Sequence, residues 1–184
     1  MIKSNKIQGF TLLELMITLA VAAIMMSIAL PSFMGLIRDS RMTTDANIIL
    51  TSINYARSEA VTRNVQVTIL KQGGGVSEWE GGWNIFTDFN GNGTCDDGCD
   101  ATNPGEDELL KTYDGVATGY TLRTGGNYPT WMAYLPSGMS EGSGPNVNDT
   151  FRLCDPDADT INSRAININV LGRARISRGT ALCP

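Results

Sequence analysis

Histidine is absent from all 184 residues. That removes the commonest general base, the usual nitrogen ligand of zinc, and the ordinary Ser-His and Cys-His nucleophile pairs. No other pattern sets a nucleophile beside a base or singles out a carboxylate pair, so the expectation is a protein that is not an enzyme. Positive charge is also scarce: 14 Lys and Arg face 19 Asp and Glu, for a net charge of −5. A globally acidic chain repels a phosphate backbone, so any nucleic-acid contact must rest on a local basic patch. Internal repeats are missing, and so is any linker long enough to separate two domains. The apolar share of 42% is ordinary globular usage, which excludes wholesale disorder.

Cysteine occurs only four times, as Cys95, Cys99, Cys154 and Cys183. Without histidine the remaining zinc option is four thiolates, and the two spacings do not repeat as paired knuckles. Disulfides in an oxidising compartment are the better reading. Of the three connectivities that four cysteines allow, spacing favours Cys95–Cys99 as a pinch inside one loop. It favours Cys154–Cys183 as a tie between the C-terminus and the body of the protein.

What is present begins with an unusual N-terminus. The first nine residues, MIKSNKIQG, are polar and basic, with Lys3 and Lys6. From Phe10 to Ile37 the chain is almost continuously apolar, and Glu14 is its only formal charge. At about 1.5 Å per residue, Leu15 to Gly35 would form a helix of roughly 30 Å, enough to cross a bilayer core. An ordinary secretory signal is cleaved beyond its apolar core. Here the candidate cut, between Gly9 and Phe10, precedes it, so the apolar segment would survive processing. A carboxylate inside such a segment costs at least a few kcal/mol and marks a function. Five residues into the processed chain, Glu14 can pair with a newly freed α-amine of a neighbouring subunit and set the axial register.

The run Gly9-Phe10-Thr11-Leu12-Leu13-Glu14-Leu15 resembles the prepilin signature of type IV pilins and type II secretion pseudopilins. The resemblance implies cleavage after Gly9 by prepilin peptidase, N-methylation of Phe10, and extraction from the inner membrane into a helical filament. Pro31 matches a family position where the helix bends or locally unwinds; a proline removes a helix hydrogen bond in any case.

Beyond the apolar run, Met42, Ala46, Ile49, Ile53, Ala56 and Ala60 recur at steps of four and three. They form the apolar stripe of an amphipathic helix that needs a surface to cover. Asp45, Arg57 and Arg63 fall off the stripe and are expected to be solvated. After Asn64 the period changes to two, with Val65, Val67 and Ile69. Further strands are predicted at Trp83–Phe86, Glu108–Tyr113, Tyr120–Thr124, Trp131–Leu135, Phe151–Leu153, Ala165–Val170 and Ala174–Ser177. The expected fold is α+β, a long N-terminal helix on an antiparallel β-sheet head. Its parts are a leader at 1–9, a transmembrane and assembly helix at 10–37, an amphipathic half at 38–64 and the head at 65–184.

Arg57-Ser58-Glu59-Ala60 followed by Val65–Ile69 is similar to the stretch after the helix in the GspH/FimT group of minor pilins and pseudopilins. So is Gly82–Asp88 leading into an Asn/Gly-rich loop and then Glu108-Leu109-Leu110. That loop opens as Asp88-Phe89-Asn90-Gly91-Asn92-Gly93, which fits the start of a calcium loop. The fit stops at the twelfth position, where Cys99 stands in place of a bidentate Glu. Asp96, Asp97, Asp100 or Glu106 could close a different cage. The leading expectation is a disulfide-held connection without a cofactor, with calcium on Asp88, Asn90 and Asn92 as the alternative.

Arg164, Arg173, Arg175 and Arg178 crowd into the last 21 residues. Gly172-Arg173-Ala174-Arg175 matches the G-R-x-R motif of FimT/FimU-type minor pilins. Strand alternation puts Arg173 and Arg175 on one face, a compact site for phosphates with Arg178 just beyond. The resemblance implies one of three roles. The first is a minor pilin at or near a filament tip, its partners being other minor and major pilins, prepilin peptidase and the inner-membrane assembly platform. The second is the same subunit contacting double-stranded DNA during transformation. The third is an H-type pseudopilin of type II secretion. In each, residues 10–37 contact membrane lipid and the head lies in the periplasm before filament assembly.

Overall fold

A computed structural model of the chain describes residues 9–100, 102–103 and 105–183. They form two compact units that divide between Asp39 and Ser40. The leader residues Lys3 and Lys6 lie outside the described residues.

Helix α1 spans Leu12–Arg63. Its backbone is helical through residue 31, but the side chains of residues 30–32, where the proline bend is expected, lie outside those described. In the first unit every described large apolar side chain from Phe10 to Ile37 is exposed. The helix ends at Arg63, and Asn64 follows in the left-handed conformation, φ +54°. Asparagine tolerates that geometry better than most residues, which makes it a natural helix stop.

In the second unit, the helical stripe is buried as its spacing predicts. Met42, Ala46, Ile49, Ile53, Ala56 and Ala60 are each no more than 2% exposed. Burial of Ile49 and Ile53 contributes about 1.5–3 kcal/mol apiece. Among the described residues nine strands follow: β1 Gln66–Lys71, β2 Gly82–Asp88, β3 Leu109–Asp114, β4 Thr121–Arg123, β5 Trp131–Tyr134, β6 Ser140–Gly142, β7 Asp149–Cys154, β8 Arg164–Ile168 and β9 Ala174–Arg178. They make two antiparallel sheets rather than one, ordered β3-β2-β1-β5-β6 and β4-β7-β8-β9. The sheets share a single apolar core with the helix stripe, through Ile69, Ile85 and Met132 from one and Leu122, Phe151, Leu153 and Ile166 from the other. Between them Trp79 meets Phe151 edge-on at 4.9 Å and donates its indole N–H to Tyr128 O at 2.9 Å.

Of the off-stripe helix residues, Arg63 is exposed as expected, whereas Arg57 and Asp45 are half-buried. Arg57 donates to Leu171 O at 3.2 Å, and Arg63 pairs with Glu59 at 2.7 Å and Glu108 at 2.6 Å. Asp45 has one carboxylate oxygen shielded from solvent and without a hydrogen-bond partner. It borders an open groove of about 260 Å³ with Trp83, Tyr113 and Asp114. Burial pushes its carboxyl above the usual aspartate range, against the pull of Arg41.

Candidate functional site

Three places in the structure carry the residues singled out from sequence. At the N-terminus Gly9 and Phe10 are exposed, and Glu14 sits in the first turn of α1. Its carboxylate accepts from the Thr11 backbone N–H and from the Thr11 hydroxyl, both at 3.2 Å. The Thr11 hydroxyl oxygen in turn accepts from the Glu14 N–H at 3.2 Å. This is a capping box, Thr-x-x-Glu, closing the open end of the helix. The pattern is visible in the sequence, although the charge of Glu14 there draws attention away from Thr11. Hydropathy averages 2.3 over an 18-residue window of this helix, so its length and composition suffice to cross a membrane.

The second place is the loop after β2. Asp88 is 1% exposed. One of its oxygens accepts from Thr68 at 2.7 Å, Gly93 N at 2.9 Å and Gln66 at 3.2 Å, and the other from Asn92 N at 3.1 Å. Asn90 and Asn92 direct their amide nitrogens to one oxygen of Asp96, at 2.6 and 2.9 Å. Those two amides and the Thr94 hydroxyl hold the Asp96 carboxyl below its usual range. Asp107, which the calcium-loop pattern does not include, accepts from Phe89 N at 3.0 Å and Asp96 N at 3.1 Å. Glu106 turns instead to Thr102 and Asn103. The side chain of Asp97 lies outside the described residues. Among the described residues no three acidic or thiol groups converge as metal ligands. The loop oxygens are spent on the chain's own donors, and Cys95 is bonded to Cys99 within it. Gly93, at φ +76°, passes so near Trp131 that a Cβ would lie 2.1 Å from the indole nitrogen, so no other residue fits there.

The third place is the C-terminal arginines, which the structure divides. Arg164 is 5% exposed, and its guanidinium donates to the carbonyls of Asn162 and Ser163 at 2.6 and 3.2 Å and to the Thr43 hydroxyl at 3.2 Å. It is an internal strut joining strand and helix, not a surface contact, because a guanidinium buried here must spend its donors on carbonyls. Arg178 donates to Asn162 Oδ1 at 3.2 Å. Arg173 and Arg175 differ: both are exposed, and neither guanidinium makes a hydrogen bond or ion pair within the described residues. Together with Asn127, Asn148, Asn167 and Asn169 they line an open groove of about 420 Å³.

The turn that sets them there is built by Asn169 and Gly172. The Asn169 side-chain oxygen accepts from Leu171 N at 3.1 Å and Arg173 N at 2.9 Å, and its carbonyl accepts from Gly172 N at 2.8 Å. Gly172 is buried at φ +72°, and its carbonyl accepts from the Tyr134 hydroxyl at 2.8 Å. A Cβ there would lie 2.6 Å from Gly138 O and 2.7 Å from the Tyr134 ring. The glycine of the G-R-x-R motif is thus a turn residue, and the arginines follow from where it puts the strand. Downstream, Cys154 on β7 is bonded to Cys183, the tie between body and C-terminus.

Comparisons with known proteins bear on both units. The sequence model of the family described as type II transport protein GspH matches residues 45–172. That of the prokaryotic N-terminal methylation motif matches residues 4–30. Curated proteins give no match. Among solved structures, the chain is similar to the type IV minor pilin FimU of Pseudomonas aeruginosa strain PAO1 in two crystal forms. One has a TM-score of 0.60 at 20% identity, covering 79% of this chain and 93% of that one. The other has a TM-score of 0.55 at 21% identity, covering 77% and 96%.

Proposed function

The chain belongs to the GspH family of type IV pilin-like proteins, and we propose that it is a minor pilin, a structural subunit of a type IV pilus assembled at or near the filament tip. The observation that carries this reading is one of combination. A methylation-motif helix whose described large apolar side chains are exposed and a GspH head occur in one chain. Residues 10–37 hold the subunit in the inner membrane with the head in the periplasm. Cleavage between Gly9 and Phe10 frees the amine that Phe10 carries into the filament, where Glu14 of a neighbouring subunit receives it. Other pilins are the partners, and the subunit serves to prime assembly. The block from Gly172 to Arg178 favours the pilus over the secretion pseudopilus, since its resemblance is to FimT/FimU-type minor pilins.

Deletion of the gene, complemented with the intact chain, tests this. Loss of surface filaments on deletion, and recovery of the processed chain in sheared filaments on complementation, are expected. Normal filaments together with a defect in protein secretion would replace this reading with the H-type pseudopilin.

A further inference from the structure

Strand β9 is one of the two outer strands of its sheet, opposite β4. Asn169 N donates to Arg173 O at 3.1 Å and Gly179 N donates to Ser163 O at 3.0 Å. Antiparallel pairing alternates, so residues 173, 175, 177 and 179 turn their backbone groups toward β8. Ala174, Ile176 and Arg178 turn theirs outward, and no bond from their backbone N–H groups runs outward among the described residues. The other edges are poorer acceptors. Strands β4 and β6 are three residues long, and the pairing of β3 with β2 slips between Ile85 and Phe86.

The two faces of β9 are also unlike. Ala174 and Ile176 pack toward the core, whereas Arg175 stands on the outer face beside its cross-strand neighbour Asn167. Arg173 lines the same groove. Two unpaired guanidiniums two residues apart, next to unpaired main-chain groups, ask for an extended segment with carboxylates at alternate positions.

We propose that the β9 edge accepts an extended acidic segment of a partner protein as an added strand, its alternate carboxylates meeting Arg173 and Arg175. The inference rests on the subunit reading, and the segment belongs to a neighbouring subunit. Charged residues on an edge discourage unselected pairing. Here they repel basic edges and admit an acidic one, which makes the same pair a selectivity device. A double-stranded nucleic acid would use the arginines, and its phosphates can accept from outward amides, but it brings no row of donors for the outward carbonyls of Ala174 and Ile176. That difference favours the strand.

The test uses the full chain in detergent micelles and the capped peptide Thr-Glu-Val-Glu-Val-Glu-Thr. Two controls accompany it, one with the glutamates made contiguous and one N-methylated at the valines, whose N–H groups face β9 when the glutamates meet Arg173 and Arg175. Saturable binding is expected, with the amide signals of Ala174, Ile176 and Arg178 shifted. Arg173→Gln with Arg175→Gln should weaken it roughly fivefold to tenfold, and N-methylation should abolish it. Equal binding of the N-methylated peptide would overturn strand addition. Absence of peptide binding, with or without salt-sensitive binding of duplex DNA, would overturn the acidic-segment partner. Entry into sheared filaments is scored separately. Loss of peptide binding with filament entry intact therefore defeats this inference and not the subunit reading.

Discussion

The carboxylate of Glu14 reaches back 3.2 Å to the backbone N–H of Thr11 and, in the same turn, to its hydroxyl. A residue expected to serve a neighbouring subunit is thus engaged first within its own chain. Assembly in this view exchanges one donor for another, and the carboxylate is never left bare in an apolar surrounding.

Substitution separates the two roles. Glutamine can still accept from Thr11 but carries no charge; alanine can do neither. If charge serves assembly, Glu14→Gln and Glu14→Ala should both remain in the membrane fraction and both be missing from sheared filaments. Recovery of the glutamine variant in filaments would assign the residue to capping alone.

Gly172 and Tyr134 hold the arginine-bearing turn in place. Gly172→Ala adds a Cβ that meets Gly138 O and the Tyr134 ring, at a φ that side chains rarely adopt. A loss of about 2–3 kcal/mol in denaturant unfolding is expected. Tyr134→Phe leaves a buried carbonyl without its donor and should cost roughly 1–2 kcal/mol. An unchanged midpoint in either variant would contradict this account of the turn.

The arginines should part company in the same assay. Arg164→Gln strands a buried set of carbonyl acceptors and should destabilise by about 2 kcal/mol or more. Arg173→Gln and Arg175→Gln should each stay within about 0.5 kcal/mol of the parent. Equal effects would mean that burial is not what distinguishes them.

These contrasts show how far the sequence could be read. The stripe from Met42 to Ala60 was legible because a buried helix face leaves a period in the chain. Eight strands were legible because alternation or a β-branched run leaves one too. Ser140–Gly142 leaves none: three residues ending in glycine pair with β5 only because the fold brings them there. The split into two sheets was hidden for a similar reason, since pairing partners are not written locally. Arg164 resembles Arg173 and Arg175 in spacing and type. Only its burial and its contact with the Thr43 hydroxyl of the helix, which the local sequence does not announce, make it structural. Thr11 was in plain view as the first residue of a Thr-x-x-Glu pattern.

Asp45 gives a prediction in pH. Its carboxyl is pushed above the usual range chiefly by burial, so the fold favours the protonated form and the charged form costs stability at neutral pH. Asp45→Asn should therefore raise the melting temperature at pH 7. The advantage should shrink as pH falls through the raised value, where the parent carboxyl takes up its proton. A gain that is constant from pH 7 to pH 4, or a loss at pH 7, would show that attraction to Arg41 outweighs burial.

The bond from Cys154 to Cys183 encloses β8 and β9 in a covalent ring closed at the base of β7. A pull on Arg173 or Arg175 loads the hairpin, and hydrogen bonds alone would let β9 peel away one pair at a time. The ring stops that peeling at its own closure: slack released from β9 has nowhere to run. The arginine-bearing edge can then be tugged by whatever it holds, and the load passes into β7 and the core rather than out through a loose C-terminus.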